Sequence, residues 1–268
     1  MPRVDRLLAR NLSMGRRLAT RLFRSGRVCT PDGVPLRDPT LQIRPSELPC
    51  EIVIDGHLEV LHARYHILQN KPIGVVTALR DGRHPTVREL LGDIPLVGEL
   101  RPVGRLDLDV SGLLLWTTEG DLLHRLTHPR YAVPRVYQAA LRGPYAPLPE
   151  DEPLLLDDGY EPAILGLEAL ERADAHPSLA LPEETQCLAT VTVASGQFHE
   201  VKRIFAALGS EVIGLCRVAY GSVELPRDLP LGDDLPIDLH AIFADLHPTE
   251  KPLKKRRPKP EATPPTAC

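Results

Sequence analysis

The segment Gly104-Arg-Leu-Asp-Leu-Asp-Val-Ser-Gly112 leads directly into the apolar run Leu113–Trp116. A short apolar run bounded by glycine is typical of a buried strand, so the preceding polar residues are predicted to form a loop beside a rigid element. The glycines allow close backbone approach or unusual dihedral angles. This places the carboxylates of Asp107 and Asp109 where catalytic groups are often carried. A turn in which either aspartate accepts backbone N–H bonds explains the same residues, so both interpretations stay open at this point.

Outward from this loop, strand-like and helix-like segments follow one another without strict alternation. The predicted strands are Tyr65–Leu68, Gly74–Thr77, Leu113–Thr117, Val136–Leu141, Ile164–Leu170, Cys187–Val193 and, as one or two strands, Val212–Tyr220. The predicted helices are Thr86–Leu91, Asp121–Leu126 and Glu200–Leu208. This order predicts an α+β fold with a mixed, largely antiparallel sheet rather than a doubly wound one.

The segment Gly196-Gln-Phe-His-Glu-Val-Lys-Arg-Ile-Phe205 is the second candidate for chemistry. Helical spacing gives it an apolar core face made of Val201, Ile204, Phe205 and Leu208. The opposite face carries His199, Lys202 and Arg203 in the first turn. Cations there oppose the helix macrodipole by about 0.3–1 kcal/mol each, which a bound anion or a partner carboxylate would explain. A basic surface patch is the alternative.

The N-terminal part of the chain, residues 1–62, is predicted to be a small helix–helix–hairpin domain. One helix starts at Val4, and a second runs from Met14 to Ser25 with Leu18, Leu22 and Phe23 facing inward. Asp55-Gly56 between two apolar runs predicts a hairpin turn. Most of the arginines of the second helix share its outer side; they are Arg16, Arg17, Arg21 and Arg24. This cluster predicts a polyanion-binding face, with a solvated basic helix as the alternative.

Charge and composition narrow the class of protein further. The chain has 268 residues and a net charge of −4, but residues 1–50 carry +6 and residues 251–268 carry +5, which leaves −15 between them. Basic ends on an acidic body indicate a polyanion partner. Residues 63–247 are predicted to form the main domain, and residues 248–268 a disordered basic tail rich in Pro and Lys.

Several other classes are disfavoured. The five cysteines contain no C-x-x-C pair, which argues against a zinc ribbon or a disulfide framework. No apolar run approaches 18 residues and no signal peptide is recognisable, so we expect a cytoplasmic protein that does not span a membrane. Nucleotide-binding glycine motifs are absent, and His124 with His128 lacks a third ligand, so we expect neither cofactor nor metal. Lys71, in the loop-like segment Asn70–Gly74, is interpreted as a surface residue.

The N-terminal segment resembles the S4 RNA-binding domain over roughly residues 3 to 56. The similarity rests on the order of four short pieces: Arg3-Val-Asp-Arg-Leu-Leu, Gly15-Arg-Arg-Leu-Ala, Ser25-Gly-Arg-Val and Asp38-Pro39. Pro31-Asp-Gly33 departs from this family's usual pattern, which has no proline there.

The body of the chain resembles the bacterial ribosomal RNA pseudouridine synthases of the RsuA type. The matching motifs include Asn70-Lys-Pro-Ile-Gly-Val-Val, His84-Pro-Thr-Val, Gly104-Arg-Leu-Asp, Leu126-Thr-His-Pro-Arg, Val136-Tyr137, His199-Glu-Val-Lys-Arg and Leu215-Cys-Arg. With the S4-like domain, the resemblance covers about residues 3 to 240. His84-Pro-Thr-Val and Glu161-Pro-Ala favour the branch that modifies the small ribosomal subunit.

The resemblance implies a role for each matching residue. Asp107 corresponds to the catalytic aspartate, taken here as the nucleophile, Tyr137 to the tyrosine that contacts the target base, and Lys202 to the basic partner of the aspartate. The predicted RNA contacts are Arg105, His199, Arg203, Arg16, Arg17, Arg21 and Lys71. Two departures are Glu200, where glutamine is common and a substrate contact would be altered, and Arg135, where lysine is usual.

The predicted function is therefore isomerisation of one uridine to pseudouridine in 16S ribosomal RNA, by a monomer that binds ribosomal RNA or a ribosomal assembly intermediate. The alternatives are a 23S ribosomal RNA synthase of the same group and a non-catalytic RNA-binding or ribosome-assembly protein. A glycoside hydrolase using Asp107 and Asp109 is a further alternative, which the low aromatic content (4%) disfavours. The sequence leaves open whether Asp107 attacks C1′, adds to the base or removes a sugar proton.

Overall fold

The computed structural model describes residues 1–247, and the predicted basic tail lies outside these described residues. The chain starts with two helices, α1 (Val4–Asn11) and α2 (Arg16–Arg24), followed by strands β1 (Val28–Cys29), β2 (Cys50–Ile54) and β3 (His57–Leu61). The three strands form an antiparallel sheet in chain order. The β2–β3 hairpin turns at Asp55 and Gly56, which both have positive φ. The predicted helix–helix–hairpin arrangement is confirmed.

One detail of α2 differs from the prediction. Ala19, Leu22 and Phe23 are buried, whereas Leu18, which was expected to face inward, is 45% exposed. Successive helical residues are about 100° apart, so Leu18 lies at the edge of a buried arc centred near Ala19. The small side chain of Ala19 lets α1 pack closely at that point, and the arc does not extend to Leu18.

The larger part of the chain is built on one mixed sheet of nine strands. They are β4 (His66–Lys71), β5 (Arg101–Pro102), β6 (Val110–Thr117), β7 (Arg135–Leu141), β8 (Ile164–Ala169), β9 (Cys187–Val193), β10 (Val212–Tyr220), β11 (Val223–Glu224) and β12 (Asp234–Pro236). The main order is β12-β4-β6-β10-β7-β9-β8, with β5 beside β6 and β11 beside β10. Of these pairings only β6 with β10 is parallel. The predicted mixed, largely antiparallel sheet is confirmed.

Three helices accompany the sheet: α3 (Gly120–Thr127), α4 (Glu200–Ala207) and α5 (Leu239–Ile242). One apolar cluster joins α4 to Leu114 and Trp116 of β6, and a second joins α3 and α5 to Leu113 and Leu115. Alternate residues of β6 therefore point into two separate cores. This is why the run Leu113–Trp116 is apolar without interruption.

Two predicted elements next to the site are wrong. Gly74–Thr77 is not a strand, because only Val76 forms a bridge, to Thr86. Residues 86–91 form turns instead of a helix. The N–H of Thr86 donates to the Glu89 carboxylate, and the N–H of Glu89 donates to the Thr86 hydroxyl, which closes one turn. Gly92 follows directly, so the segment is too short to add the further backbone bonds that a helix needs.

The N-terminal helices contact the larger part directly. Arg10 donates two hydrogen bonds to the carboxylate of Glu99, at 2.6 and 2.7 Å. The Asn11 side chain donates to the backbone carbonyl of His62 and accepts from its N–H, and the main-chain carbonyl of Asn11 accepts a bond from the N–H of Leu96. These contacts fix α1 against the segment before β5. Within residues 1–247, no helix combines the length and apolar character needed to cross a membrane.

Candidate active site

The loop that carries Asp107 is anchored by hydrogen bonds from residues of the segment after β4. Thr77 both donates to the carbonyl of Leu106 (2.7 Å) and accepts from its N–H (3.0 Å). The N–H of Gly74 donates to the carbonyl of Leu108. Because these bonds hold the backbone on both sides of Asp107, its carboxylate projects from a fixed position.

Lys71, the last residue of β4, adds further hydrogen bonds to the same loop. Its ammonium donates to the carbonyls of Pro72 (3.0 Å), Asp107 (2.9 Å) and Val110 (2.7 Å). The residue is fully buried, so the interpretation of Lys71 as a surface residue is wrong, and it offers no surface for RNA. Burial lowers the pKa of Lys71 to about 8, while the charges of Asp107 and Asp109 oppose that shift.

Two side chains of the α4 segment, a histidine and a lysine, lie beside Asp107. His199 Nε2 lies 3.5 Å from Asp107 Oδ2, and Lys202 Nζ lies 3.9 Å from the same oxygen. Lys202 makes its shortest contacts with Asp109, 2.7 Å to each carboxylate oxygen. Burial alone would raise the pKa of Asp109, but the hydrogen bonds and charge of Lys202 outweigh it and lower that pKa. Lys202 thus contacts both aspartates, and Asp109 more closely than the predicted partner Asp107.

The backbone before α4 is shaped by a buried polar network. Glu200 is buried and accepts a 2.5 Å bond from the hydroxyl of Ser195, while the guanidinium of Arg135 donates to the Ser195 carbonyl. Burial raises the pKa of Glu200, and the Ser195 bond and the Arg135 charge oppose this. His199, just before the helix, has φ +49°. Glu200 therefore supports the loop through Ser195 and also lines the cleft, and its predicted effect on a substrate contact stays a prediction.

A cleft of about 590 Å³ is lined by Asp107, His199 and Lys202. Tyr137 from β7 reaches it, and the strand register sets Tyr137 beside Arg217 of β10, which is beside Gly112 of β6. The predicted site residues that the cleft brings together are Arg105, Asp107, Tyr137, His199 and Lys202. They come from three separate segments of the chain, and only the tertiary structure brings them together.

Arg217 also lines the cleft; it belongs to the matching motif Leu215-Cys-Arg, for which no role is predicted. It is buried, donates from Nε to the carbonyl of Leu113 (2.8 Å), and packs its guanidinium over the ring of Tyr220. Its Nη2 has no hydrogen-bond partner among the described residues. Gly112 makes this arrangement possible, since a Cβ there would lie 2.3 Å from the Arg217 carbonyl oxygen.

Comparisons with known proteins agree with this geometry. Residues 65–207 match the family model described as RNA pseudouridylate synthase. The ribosomal small subunit pseudouridine synthase A of Escherichia coli (strain K12) is 33% identical over 88% of this chain and 96% of its own length. That of Yersinia pestis is 33% identical over 90% and 96%. A crystal structure of a pseudouridylate synthase superimposes with a TM-score of 0.53 at 30% identity, covering 90% of this chain and 98% of that one.

The chain belongs to the RNA pseudouridylate synthase family. It is therefore an enzyme that isomerises uridine to pseudouridine, as the sequence predicted. The alternatives of a glycoside hydrolase and of a non-catalytic RNA-binding protein are wrong. The structure gives a physical reason against the first, because Asp109 is bound by Lys202 through both carboxylate oxygens and kept ionised, so it does not serve as a general acid.

The remaining predicted RNA contacts of this pseudouridylate synthase lie in different environments. Arg203 is ion-paired with Asp157 and Asp158 on the connector between β7 and β8. Arg16 lies 3.5 Å from the buried carboxylate of Asp5, so part of its role is to stabilise the N-terminal core. Arg17 and Arg21 are exposed, and neither has an ion-pair partner in the described part of the chain.

No group of three or more His, Cys, Asp or Glu side chains in residues 1–247 is arranged to hold a metal ion.

Proposed function

We propose that this enzyme isomerises a uridine of 16S ribosomal RNA. The observation that carries the proposal is similarity to small-subunit synthases along nearly their whole length, together with the cleft in which Asp107 faces His199 and Lys202. A 23S ribosomal RNA substrate is the alternative that the experiment below distinguishes.

The reaction needs one bond exchange and no external donor. The N1–C1′ bond breaks, the uracil turns, C5 joins C1′, and the C5 proton is lost while N1 gains one. Asp107 is the proposed nucleophile, on C1′ or on the base, and Lys202 stabilises its ionised form. Tyr137 offers a flat ring against the uracil. Because a uridine in structured RNA is stacked, it must be flipped into the cleft.

The alternative to a nucleophilic role is that Asp107 acts as a base and removes a proton from the sugar. RNA carrying deuterium at C2′ of the target distinguishes it, since abstraction of that proton in a rate-limiting step slows turnover of the deuterated substrate several-fold. We expect equal rates for the two substrates.

The substrate is tested by mapping pseudouridines in ribosomal RNA from cells with and without the gene, complemented with wild type or Asp107→Asn. We expect one 16S pseudouridine that disappears without the gene and returns only with wild type. Loss of a 23S pseudouridine instead would contradict the proposed substrate. Return of the modification with Asp107→Asn would contradict the role of Asp107, and Asp109→Asn would then be tested.

The N-terminal unit is proposed to be an S4-type RNA-binding domain covering residues 1–62, with the catalytic domain at residues 63–247. Support comes from its separate apolar core, which extends from Val4 to Leu61, and from the exposed arginines of α2. We further propose a monomer that works in the cytoplasm on ribosomal RNA or an assembly intermediate. Light scattering during size-exclusion chromatography tests the monomer, and a stable dimer mass would contradict it.

A further inference from the structure

An exposed phenylalanine lies at the rim of the active-site cleft. Phe198 is 75% exposed, more than any other large apolar side chain in the described residues, and it lines the cleft that holds Asp107. The chain contains only four phenylalanines. A single exposed apolar side chain is ordinary, but this one has neighbours that give it a defined position.

The ring of Phe198 is stacked on that of His199. Their centroids are 3.6 Å apart and the planes are inclined by 22°. One face of the phenylalanine is thereby covered, and most of the remaining side chain is open to solvent. His199 in turn lies 3.5 Å from the Asp107 carboxylate, so the His199 ring lies between the Phe198 ring and Asp107.

The rim loop, residues 196–199, is held at both ends. Before it, Ser195 is bonded through its carbonyl to Arg135 and through its hydroxyl to Glu200 and to the N–H of Ala163. After it, the positive φ of His199 turns the chain into α4, whose first bonds include Arg203 N–H to His199 carbonyl. The exposed ring is therefore presented by a fixed backbone.

We propose that Phe198 is an RNA-binding residue whose open face stacks on the nucleobase adjacent to the target uridine. The proposal rests on the RNA substrate of the proposed function. Flipping the uridine removes a stacking partner from its neighbour, and an exposed aromatic ring beside the cleft replaces that partner. The stacked His199 ring separates Phe198 from Asp107, so the base that Phe198 contacts is not the one that reacts.

Four full-length proteins test this: wild type, Phe198→Ala, Phe198→Leu and Phe198→Trp. Binding and turnover are measured on a 16S ribosomal RNA fragment that the wild type modifies. Stacking on a base changes affinity by about 5- to 150-fold in comparable sites. We expect a weakening of this order for Ala and Leu, and affinity within about twofold of wild type for Trp. The rise in KM should exceed the fall in kcat.

Two further RNAs locate the stacked base, one with an abasic residue on the 5′ side of the target and one with an abasic residue on its 3′ side. On one of these RNAs the difference between wild type and Phe198→Leu should disappear. Wild-type affinity in Phe198→Leu, or an undiminished difference on both abasic RNAs, would overturn the stacking proposal alone. A wild type that binds 16S fragments without forming pseudouridine would instead contradict the proposed function, and the binding comparison would still test Phe198.

Discussion

At the residue scale, the position of one lysine distinguishes two neighbouring aspartates. Lys202 bonds both oxygens of Asp109 and lies 3.9 Å from Asp107. Asp109 is thereby engaged, while the Asp107 side chain remains 35% exposed toward the cleft. The two carboxylates are two residues apart in the chain, yet Asp107 lines the cleft and Asp109 does not. We infer that Asp109 positions Lys202.

We predict that Lys202→Met lowers kcat by about 100-fold or more, because a preorganised charge next to the proposed nucleophile Asp107 is lost. Lys202→Arg should retain part of the rate, since it keeps the charge. Steady-state turnover on a 16S ribosomal RNA fragment measures both. Asp109→Asn is the matched variant and should cost less than Lys202→Met. Equal losses in the Met and Arg variants would indicate a specific lysine contact with RNA instead.

Asp107→Asn is predicted to reduce turnover by about 1,000-fold or more with the thermal unfolding temperature nearly unchanged. The amide has almost the same shape, and the contact that holds the loop uses the backbone carbonyl of Asp107, which is retained. Single-turnover assays and thermal unfolding measure the two effects. More than a small fraction of wild-type activity in the purified variant would remove Asp107 from its proposed role.

Lys71 gives a prediction about pH and stability. Its pKa falls from 10.5 to about 8 on folding, because burial disfavours the charged amine. Between these values the unfolded chain binds a proton that the folded protein has released, so the contribution of Lys71 to the unfolding free energy increases with pH. Urea unfolding of wild type and Lys71→Met should therefore differ increasingly in favour of wild type from about pH 8 to about pH 10. A constant difference would show that Lys71 keeps its proton.

At the scale of elements, the parallel pairing of β6 with β10 positions the centre of the site. It places the loop before β6 and the Arg217 side chain of β10 at the same cleft. Close pairing at this point depends on Gly112, which has φ +101° in the middle of a buried strand. A side chain there would meet the Arg217 backbone and the sulfur of Cys216.

Gly112→Ala should therefore destabilise the enzyme by about 2 kcal/mol or more, through both backbone strain and overpacking. Gly159→Ala is the matched control, because Gly159 also has positive φ but has no atom within 4 Å of an added Cβ. The control should lose only about 1 kcal/mol from strain. Urea denaturation of the two variants measures the difference. Similar losses would show that β10 can move to accommodate the methyl group.

At the scale of the whole molecule, charge is segregated between the two parts. The N-terminal residues are strongly basic and the body is acidic. The salt bridge from Arg10 to Glu99 and the bonds of Asn11 hold the basic helices against the body. If α2 binds RNA as we propose, that RNA is held near the rest of the enzyme, whose net negative charge opposes binding elsewhere.

Replacing Arg17 and Arg21 with Gln should flatten the dependence of RNA affinity on salt. Each phosphate contact contributes about 0.7–0.9 to the slope of log K against log salt, so the slope should fall by about 1.5 units. Arg16 is left intact because it also contacts the buried Asp5. Arg172→Gln, an exposed arginine of the body, is the control and should leave the slope unchanged. The same slope in the double variant would identify α2 as an ordinary solvated surface.

The sequence by itself determined the elements whose patterns are local. The apolar run before Trp116, the Asp55-Gly56 turn and the spacing of Val201 with Phe205 each predicted an element that the structure contains. The motifs around Asp107 and Lys202 predicted the family and its reaction. These features were predictable because side-chain periodicity and turn chemistry depend on residues close in the chain.

The tertiary structure alone decided which polar groups meet. Lys71 looked like a surface lysine, yet it is buried because loop carbonyls 36 and 39 residues away supply its hydrogen bonds. The preference of Lys202 for Asp109 and the packing of Arg217 beside Gly112 likewise depend on distant segments. The parallel β6–β10 contact, which sets Arg217 beside Gly112, joins residues about 105 positions apart and leaves no periodic trace in the local sequence.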